Sequence, residues 1–107
     1  MKEFLGTWRI TGMEEWAQDY IDLVEPGYIK FGKNCMGQFV FGTVNGFLDF
    51  RYHDTNESAK VEFSWEGCSE NDSVCGRGWA EISGKNEIYG MLHIHCGDES
   101  WFKATLK

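Results

Sequence analysis

Apolar and aromatic stretches recur about every ten residues along this chain and are separated by turn-forming residues, which is typical of an all-β sandwich or barrel. Because the links between stretches are short, successive strands are expected to be antiparallel neighbours. The eight predicted strands are Leu5–Gly12, Gly27–Phe31, Gly37–Val44, Gly46–His53, Lys60–Glu66, Gly76–Ser83, Glu87–His95 and Ser100–Leu106.

Three short segments predict the tight turns of this fold. Asn45-Gly46 lies between two strand-like runs and favours a two-residue type I′ turn, in which both central residues need a positive φ. Ser83–Asn86 and Cys96–Glu99 have the composition of further tight turns.

One segment departs from the β pattern. Within residues 14–24, Trp16, Tyr20 and Leu23 follow a helical spacing, which predicts an amphipathic helix that Pro26 ends. This helix has two interpretations: a lid in which Trp16 and Tyr20 cap a barrel mouth, or a structural plug that covers apolar surface at the barrel end.

Period-two alternation divides the strands into two faces. One face is uniformly apolar and is predicted to be the core. It comprises Trp8, Ile10, Ile29, Phe31, Phe39, Phe41, Leu48, Phe50, Val61, Phe63, Trp65, Ala80, Ile82, Ile88, Leu92, Ile94, Phe102, Ala104 and Leu106.

The opposite face mixes aromatic residues with charges of both signs, a composition that marks a partner surface or a ligand site. Its members are Phe47, Asp49, Arg51, Glu62, Ser64, Glu66, Arg77, Trp79, Glu81, Tyr89, Met91, His93, His95, Trp101, Lys103 and Thr105. In a filled barrel this mixed face lies outside and becomes an interaction surface, whereas in a wider barrel it encloses a polar-aromatic cavity. Two packed sheets would show the same alternation.

Composition narrows the functional classes. The 107 residues suit a single domain, residues 1–107, and the 42% of hydrophobic residues are enough for a core. The formal charge of −7 disfavours nucleic acid and anionic membranes as partners. The chain shows no signal peptide and no membrane span, so we expect a cytoplasmic protein whose four cysteines are thiols.

His93 and His95 form the most metal-like arrangement, because alternate residues of a strand point the same way. A third ligand would have to come from Asp49, Glu62 or a cysteine, and the alternative is that the histidines pair with carboxylates. We therefore predict neither a metal nor a cofactor.

Acid–base chemistry is a second candidate, since a carboxylate, Asp49 or Glu66, could orient the imidazole of His95. The alternative for these carboxylates is structural. Arg51 and Arg77 lie on the same face, which favours cross-strand ion pairs that hold the register.

Gly6-Thr7-Trp8 resembles the Gly-x-Trp motif in the first strand of lipocalins, and similar openings occur in fatty-acid-binding proteins. The resemblance implies that Trp8 closes one barrel end and that a late basic residue, Lys103 or Lys107, packs over it.

Longer segments resemble a family of small uncharacterised bacterial proteins. These segments cover residues 16–29, 37–44, 61–67 and 76–80. The resemblance implies a bacterial origin and a mobile, integron-type gene cassette, and it implies no activity or site.

These observations together predict an all-β, lipocalin-like, up-and-down antiparallel barrel of about eight strands with one short helix after the first. The predicted function is a small, non-catalytic binding or adaptor protein that self-associates as a homodimer or binds a small amphipathic ligand in the barrel. The alternative is a hydrolase- or isomerase-like enzyme. The predicted ligand or interface residues are Asp49, Arg51, Arg77, Trp79, Tyr89, His93, His95 and Trp101.

Overall fold

A computed structural model describes residues 4–53 and 59–107 and shows a closed antiparallel barrel of eight strands in sequential order, as predicted. A short helix, α1 (Gln18–Ile21), follows the first strand, and a 3-10 turn at Lys33–Cys35 precedes the third. The strands are β1 (Gly6–Met13), β2 (Tyr28–Phe31), β3 (Met36–Phe41), β4 (Val44–Tyr52), β5 (Lys60–Ser69), β6 (Asp72–Gly84), β7 (Glu87–Ile94) and β8 (Glu99–Leu106).

The apolar face forms the interior of this barrel. All of the predicted core residues are buried except Ile82 and Ile94, which are half-buried, and Leu106, which is 38% exposed. The structure adds four buried residues to the predicted core: Phe4, Met13, Ile21 and Val44.

The described side chains fill the barrel interior. The space among Ile10, Met13, Ile29, Phe39, Phe41, Leu92 and Phe102 amounts to about 10 Å³. A single water molecule needs about 10–15 Å³ by this measure. The space among these seven side chains therefore holds at most about one water molecule, and the mixed face lies on the outside of the barrel.

The turn predicted at Asn45-Gly46 is wrong, because the chain reverses at Gly42-Thr43 and both predicted turn residues lie within β4. Gly42 supplies the positive φ, +58°, that the turn requires. Glycine is needed at position 46 for a different reason, because there is no room for a side chain. A Cβ there would come within 2.8 Å of the Phe39 and Trp65 rings, closer than real contacts allow.

The hairpin of β5 and β6 is longer than predicted and turns at Glu70-Asn71. Its outer part pairs Cys68 with Ser73 and Ser69 with Asp72. The residues of this outer part are polar, so no alternation of apolar positions indicates that they form strands.

The predicted helix over residues 14–24 is also wrong in extent, since only the four residues of α1 are helical. Before α1, the backbone N–H groups of Glu14 and Glu15 bind the buried Ser100 hydroxyl at 3.0 and 3.2 Å, which holds the chain in a non-helical path. After α1, the Asp22 carboxylate accepts the N–H of Gly27 at 2.9 Å and so turns the chain toward β2.

Trp16 and Tyr20 lie against one end of the barrel. The Trp16 ring centroid is 4.8 Å from that of Phe41. The Tyr20 hydroxyl lies 3.0 Å from Thr43 Oγ1, and its ring packs on Gly42. A structural plug and a lid would both make these contacts. Helix α1 also contributes Ile21 to the core.

Trp8 lies in the barrel interior, and its Nε1 donates a 2.9 Å hydrogen bond to the Phe4 carbonyl. The basic residue expected over it is not Lys103, whose Nζ lies 5.6 Å from the Trp101 ring on the outer face. Lys107 instead continues the backbone pairing of β8, because its N–H donates to the Thr7 carbonyl at 3.0 Å.

Candidate functional site

Four large side chains of the mixed face meet on three neighbouring strands, and we call them the aromatic cluster: Trp79 of β6, Tyr89 and Met91 of β7, and Trp101 of β8. Ring centroids are 6.0 Å apart between Trp79 and Tyr89 and 6.4 Å apart between Tyr89 and Trp101. Met91 pairs directly with both tryptophans in the strand register. All four side chains are half-buried on the outer wall of the barrel.

Charged residues border this cluster. Tyr89 is the register partner of Glu81 on β6 and of Lys103 on β8, so an acid and a base flank it on opposite sides. Lys60 lies beyond Glu81, but its Nζ points over the Trp79 ring at 4.7 Å. Among the described residues, neither Glu81 nor Lys103 forms an ion pair.

A separate depression, the outer groove, lies on the outer wall across β4, β5 and β6, and has a volume of about 620 Å³. Its exposed lining consists of Met36, Phe47, Asp49, Ser64, Glu66, Cys75, Arg77 and His95, and the half-buried Gly76 completes its floor. A second depression of about 560 Å³ adjoins it at Phe47, Glu66 and Cys75.

Strand register explains the concave shape of the outer groove. Small side chains stand at its centre, since Ser64 pairs with Arg77 on one row and Cys75 pairs with Glu66 on the next. Gly76 has no side chain, and a Cβ there would meet the His93 carbonyl at 1.8 Å. Longer side chains on the surrounding positions form the walls.

Three of the predicted site residues, Asp49, Glu66 and His95, line this single groove together with Arg77. Within the described chain, no hydrogen bond joins the imidazole of His95 to either carboxylate. Asp49 instead accepts a hydrogen bond from Arg51 on its own strand. Acid–base chemistry with His95 therefore stays a prediction.

The expected cross-strand ion pairs form at only some positions. His93 pairs across strands with Glu99, with 2.8 Å between Nδ1 and Oε1. Arg51 was expected to bridge strands, but it pairs with Asp49 along β4. For Arg77, the described part of the structure shows no ion pair or side-chain hydrogen bond, so the expected register-holding role is not seen there.

Metal-ligating side chains do not converge in the described residues, where no group of three or more His, Cys, Asp and Glu could hold an ion. His95 lies in the turn after β7 rather than on the strand, so the predicted alignment with His93 is lost. The four cysteines are free thiols.

Met36 and Cys75 belong to the outer groove but were not among the predicted mixed-face residues. Met36 precedes the predicted start of the third strand, and Cys75 precedes that of the sixth. The signal for both lies in the strand register, which places Met36 opposite Asp49 and Cys75 opposite Glu66.

Comparison of the chain with protein-family models, with curated proteins and with solved structures finds no match. No helix among residues 4–53 and 59–107 is long and apolar enough to cross a membrane.

Proposed function

We propose that this protein is a small, non-catalytic binding protein that forms a two-fold homodimer through the aromatic cluster. The observation that carries the proposal is the position of Trp79, Tyr89, Met91 and Trp101 on the outer wall, away from the filled core. Tryptophan, tyrosine and methionine are enriched where proteins contact one another. We place this dimer in the cytoplasm, where free thiols persist.

Charge complementarity supports a second copy of this chain as the occupant. Consider a two-fold axis that runs along β7, parallel to the outer wall. It places β6 of one copy over β8 of the other, so that Glu81 faces Lys103 of the second copy and Trp79 faces Trp101. The same surface patch is thus its own complement, as an isologous interface requires. Both charges gain an ion-pair partner that they lack among the described residues of a single chain.

The first test measures the mass of the protein by light scattering and native mass spectrometry. We expect twice the 12.3 kDa chain mass for the wild type and single-chain mass for Trp101→Glu. Phe47→Glu is the matched control, since Phe47 is 61% exposed in the outer groove and lies outside the cluster. A monomeric wild type, or a dimer that survives Trp101→Glu, overturns the proposal.

A charge-reversal cycle tests the two-fold geometry. Glu81→Lys and Lys103→Glu are each expected to weaken dimerisation by about tenfold, because like charges then face each other. The double reversal restores attraction and is expected to recover most of the affinity. If both single reversals leave the dimer constant unchanged, the proposed axis is wrong.

A further inference from the structure

The outer groove has the dimensions of a ligand site. Its volume of about 620 Å³ falls within the range of about 300–1,000 Å³ that small-molecule pockets occupy. It spans β4 to β6, with Met36 of β3 on one side and His95 after β7 on the other, and shares no residue with the aromatic cluster. Ligand binding in the groove therefore does not depend on the proposed dimer.

Charge is distributed unevenly across this groove. Two carboxylates, Asp49 and Glu66, lie on β4 and β5, whereas the guanidinium of Arg77 and the imidazole of His95 lie on the β6 and β7 side. The groove thus has carboxylates on its β4 and β5 side and the guanidinium of Arg77 on its β6 side, and Ser64 pairs directly with both Asp49 and Arg77 in the strand register.

Two of these charges are available to a ligand. Arg77 and Glu66 have no ion pair or side-chain hydrogen bond within the described chain, although they lie on adjacent strands. A guanidinium presents paired N–H donors that match a carboxylate, and it gains most from such a bidentate contact. The unpaired carboxylate of Glu66, in turn, is suited to bind a cationic group.

The apolar part of the groove lies at one end. Phe47 is 61% exposed and Met36 is 58% exposed, the two being large apolar side chains with no cover from the described residues. Exposed apolar surface next to convergent charges is typical of a site for an amphipathic molecule.

From this arrangement we infer that the outer groove binds a small zwitterion with an apolar group, of the chemistry of a short hydrophobic peptide. Arg77 holds the carboxylate, and Glu66, assisted by Asp49, holds the ammonium group. Phe47 and Met36 contact the apolar side chain. A polyanion is repelled by the two carboxylates, and a wholly apolar ligand would cover Arg77 and Glu66 without giving either charge a partner.

The probe is the dipeptide leucyl-phenylalanine, compared with its N-acetylated form and its C-terminal amide by titration calorimetry. We expect the free dipeptide to bind with 1:1 stoichiometry per chain. Each capped form loses one charge contact and is expected to bind at least about tenfold more weakly. Equal binding of all three forms, or no binding of the free dipeptide at millimolar concentration, overturns the inference.

Substitutions of Arg77 and Glu66 test the charge contacts inferred for each residue. Arg77→Gln is expected to weaken the free dipeptide and the N-acetyl form while leaving the amide unchanged, and Glu66→Gln is expected to weaken the free dipeptide and the amide only. Lys30→Gln and Glu62→Gln are matched controls at exposed positions of the outer wall, outside the groove lining. If the controls reduce binding as much as the groove variants, the site lies elsewhere.

One experiment distinguishes failure of the proposed dimer from failure of the inferred ligand site. Titration of the Trp101→Glu variant measures dipeptide binding by a chain whose cluster is disrupted. Retained binding is expected, since Trp101 does not line the groove. Loss of binding by the folded, monomeric variant would contradict the inference that a single chain forms the complete binding groove.

Discussion

Arg9 of β1 and Asp22, which follows α1, form an ion pair with 2.7 Å between Nη2 and Oδ2. The same carboxylate accepts the backbone N–H of Gly27 at 2.9 Å and the Gln18 amide at 3.1 Å. The Arg9 hydrogen bond first, and then that from Gly27, hold the pKa of Asp22 well below its ordinary value, against a smaller opposing effect of burial.

This relationship predicts a pH-dependent contribution to stability. A carboxyl group whose pKa is lowered on folding stabilises the folded state above its unfolded pKa of about 3.9, and the contribution is lost as the pH falls toward the folded pKa. Asp22→Asn is therefore expected to cost about 1 kcal/mol at neutral pH, since the pair is partly exposed. The difference from wild type should shrink below about pH 4.

The measurement is the free energy of unfolding in urea at several pH values between neutrality and strong acid. Asp19→Asn is the matched control, because Asp19 is an exposed acid within α1, close to Asp22 in the chain. A stability difference for Asp22→Asn that stays constant down to the lowest pH contradicts the assignment.

A second prediction concerns the position of the β3–β4 turn. Gly46→Ala is expected to destabilise the fold by about 1–3 kcal/mol, because the added methyl group meets the rings of Phe39 and Trp65. Asn45→Thr is expected to change stability by less than about 0.5 kcal/mol, since Asn45 is an exposed strand residue. Large loss from Asn45→Thr would instead support the turn that the Asn-Gly pair suggests.

A third prediction concerns Ser100, a fully buried polar residue whose Oγ donates to the Trp101 carbonyl and accepts two backbone N–H groups. Ser100→Ala is expected to cost about 1–3 kcal/mol, because those N–H groups lose an acceptor. Thermal unfolding provides the measurement. Ser83→Ala, at an exposed position, is the control, and a Ser100→Ala variant as stable as the wild type would contradict this role of the hydroxyl.

A fourth prediction distinguishes plug from lid. Trp16→Ala is expected to lower stability by about 1–2 kcal/mol, because the half-buried ring packs on Phe41. It is expected to leave dipeptide affinity unchanged, since Trp16 does not line the outer groove. Reduced affinity with unchanged stability would identify the segment as a lid.

The barrel could be predicted because the alternation of apolar and polar residues indicates which side of each strand faces the core. The long pairing of β5 with β6 could not, since Cys68, Ser69, Asp72 and Ser73 are polar and resemble a loop. The β3–β4 turn was missed for a related reason. Asn45-Gly46 satisfies a local turn preference, but the glycine serves a contact between residues distant in sequence.

The candidate site was predicted only as separate parts. Asp49, Glu66, Arg77 and His95 were recognised individually, but their grouping depends on strand register and on the small side chains of Ser64 and Cys75. Ser100 carried a usable signal, because it is a polar residue in phase with the apolar positions Phe102 and Ala104 of the same strand.

Closure of the barrel has a consequence for any complex that the protein forms. β1 pairs with β8, so the sheet formed by the described residues has no free edge whose backbone groups could add a strand from another chain. Specificity must then be carried by side chains on the outer wall. Single substitutions there can change the choice of partner while the backbone ladder of the barrel stays intact.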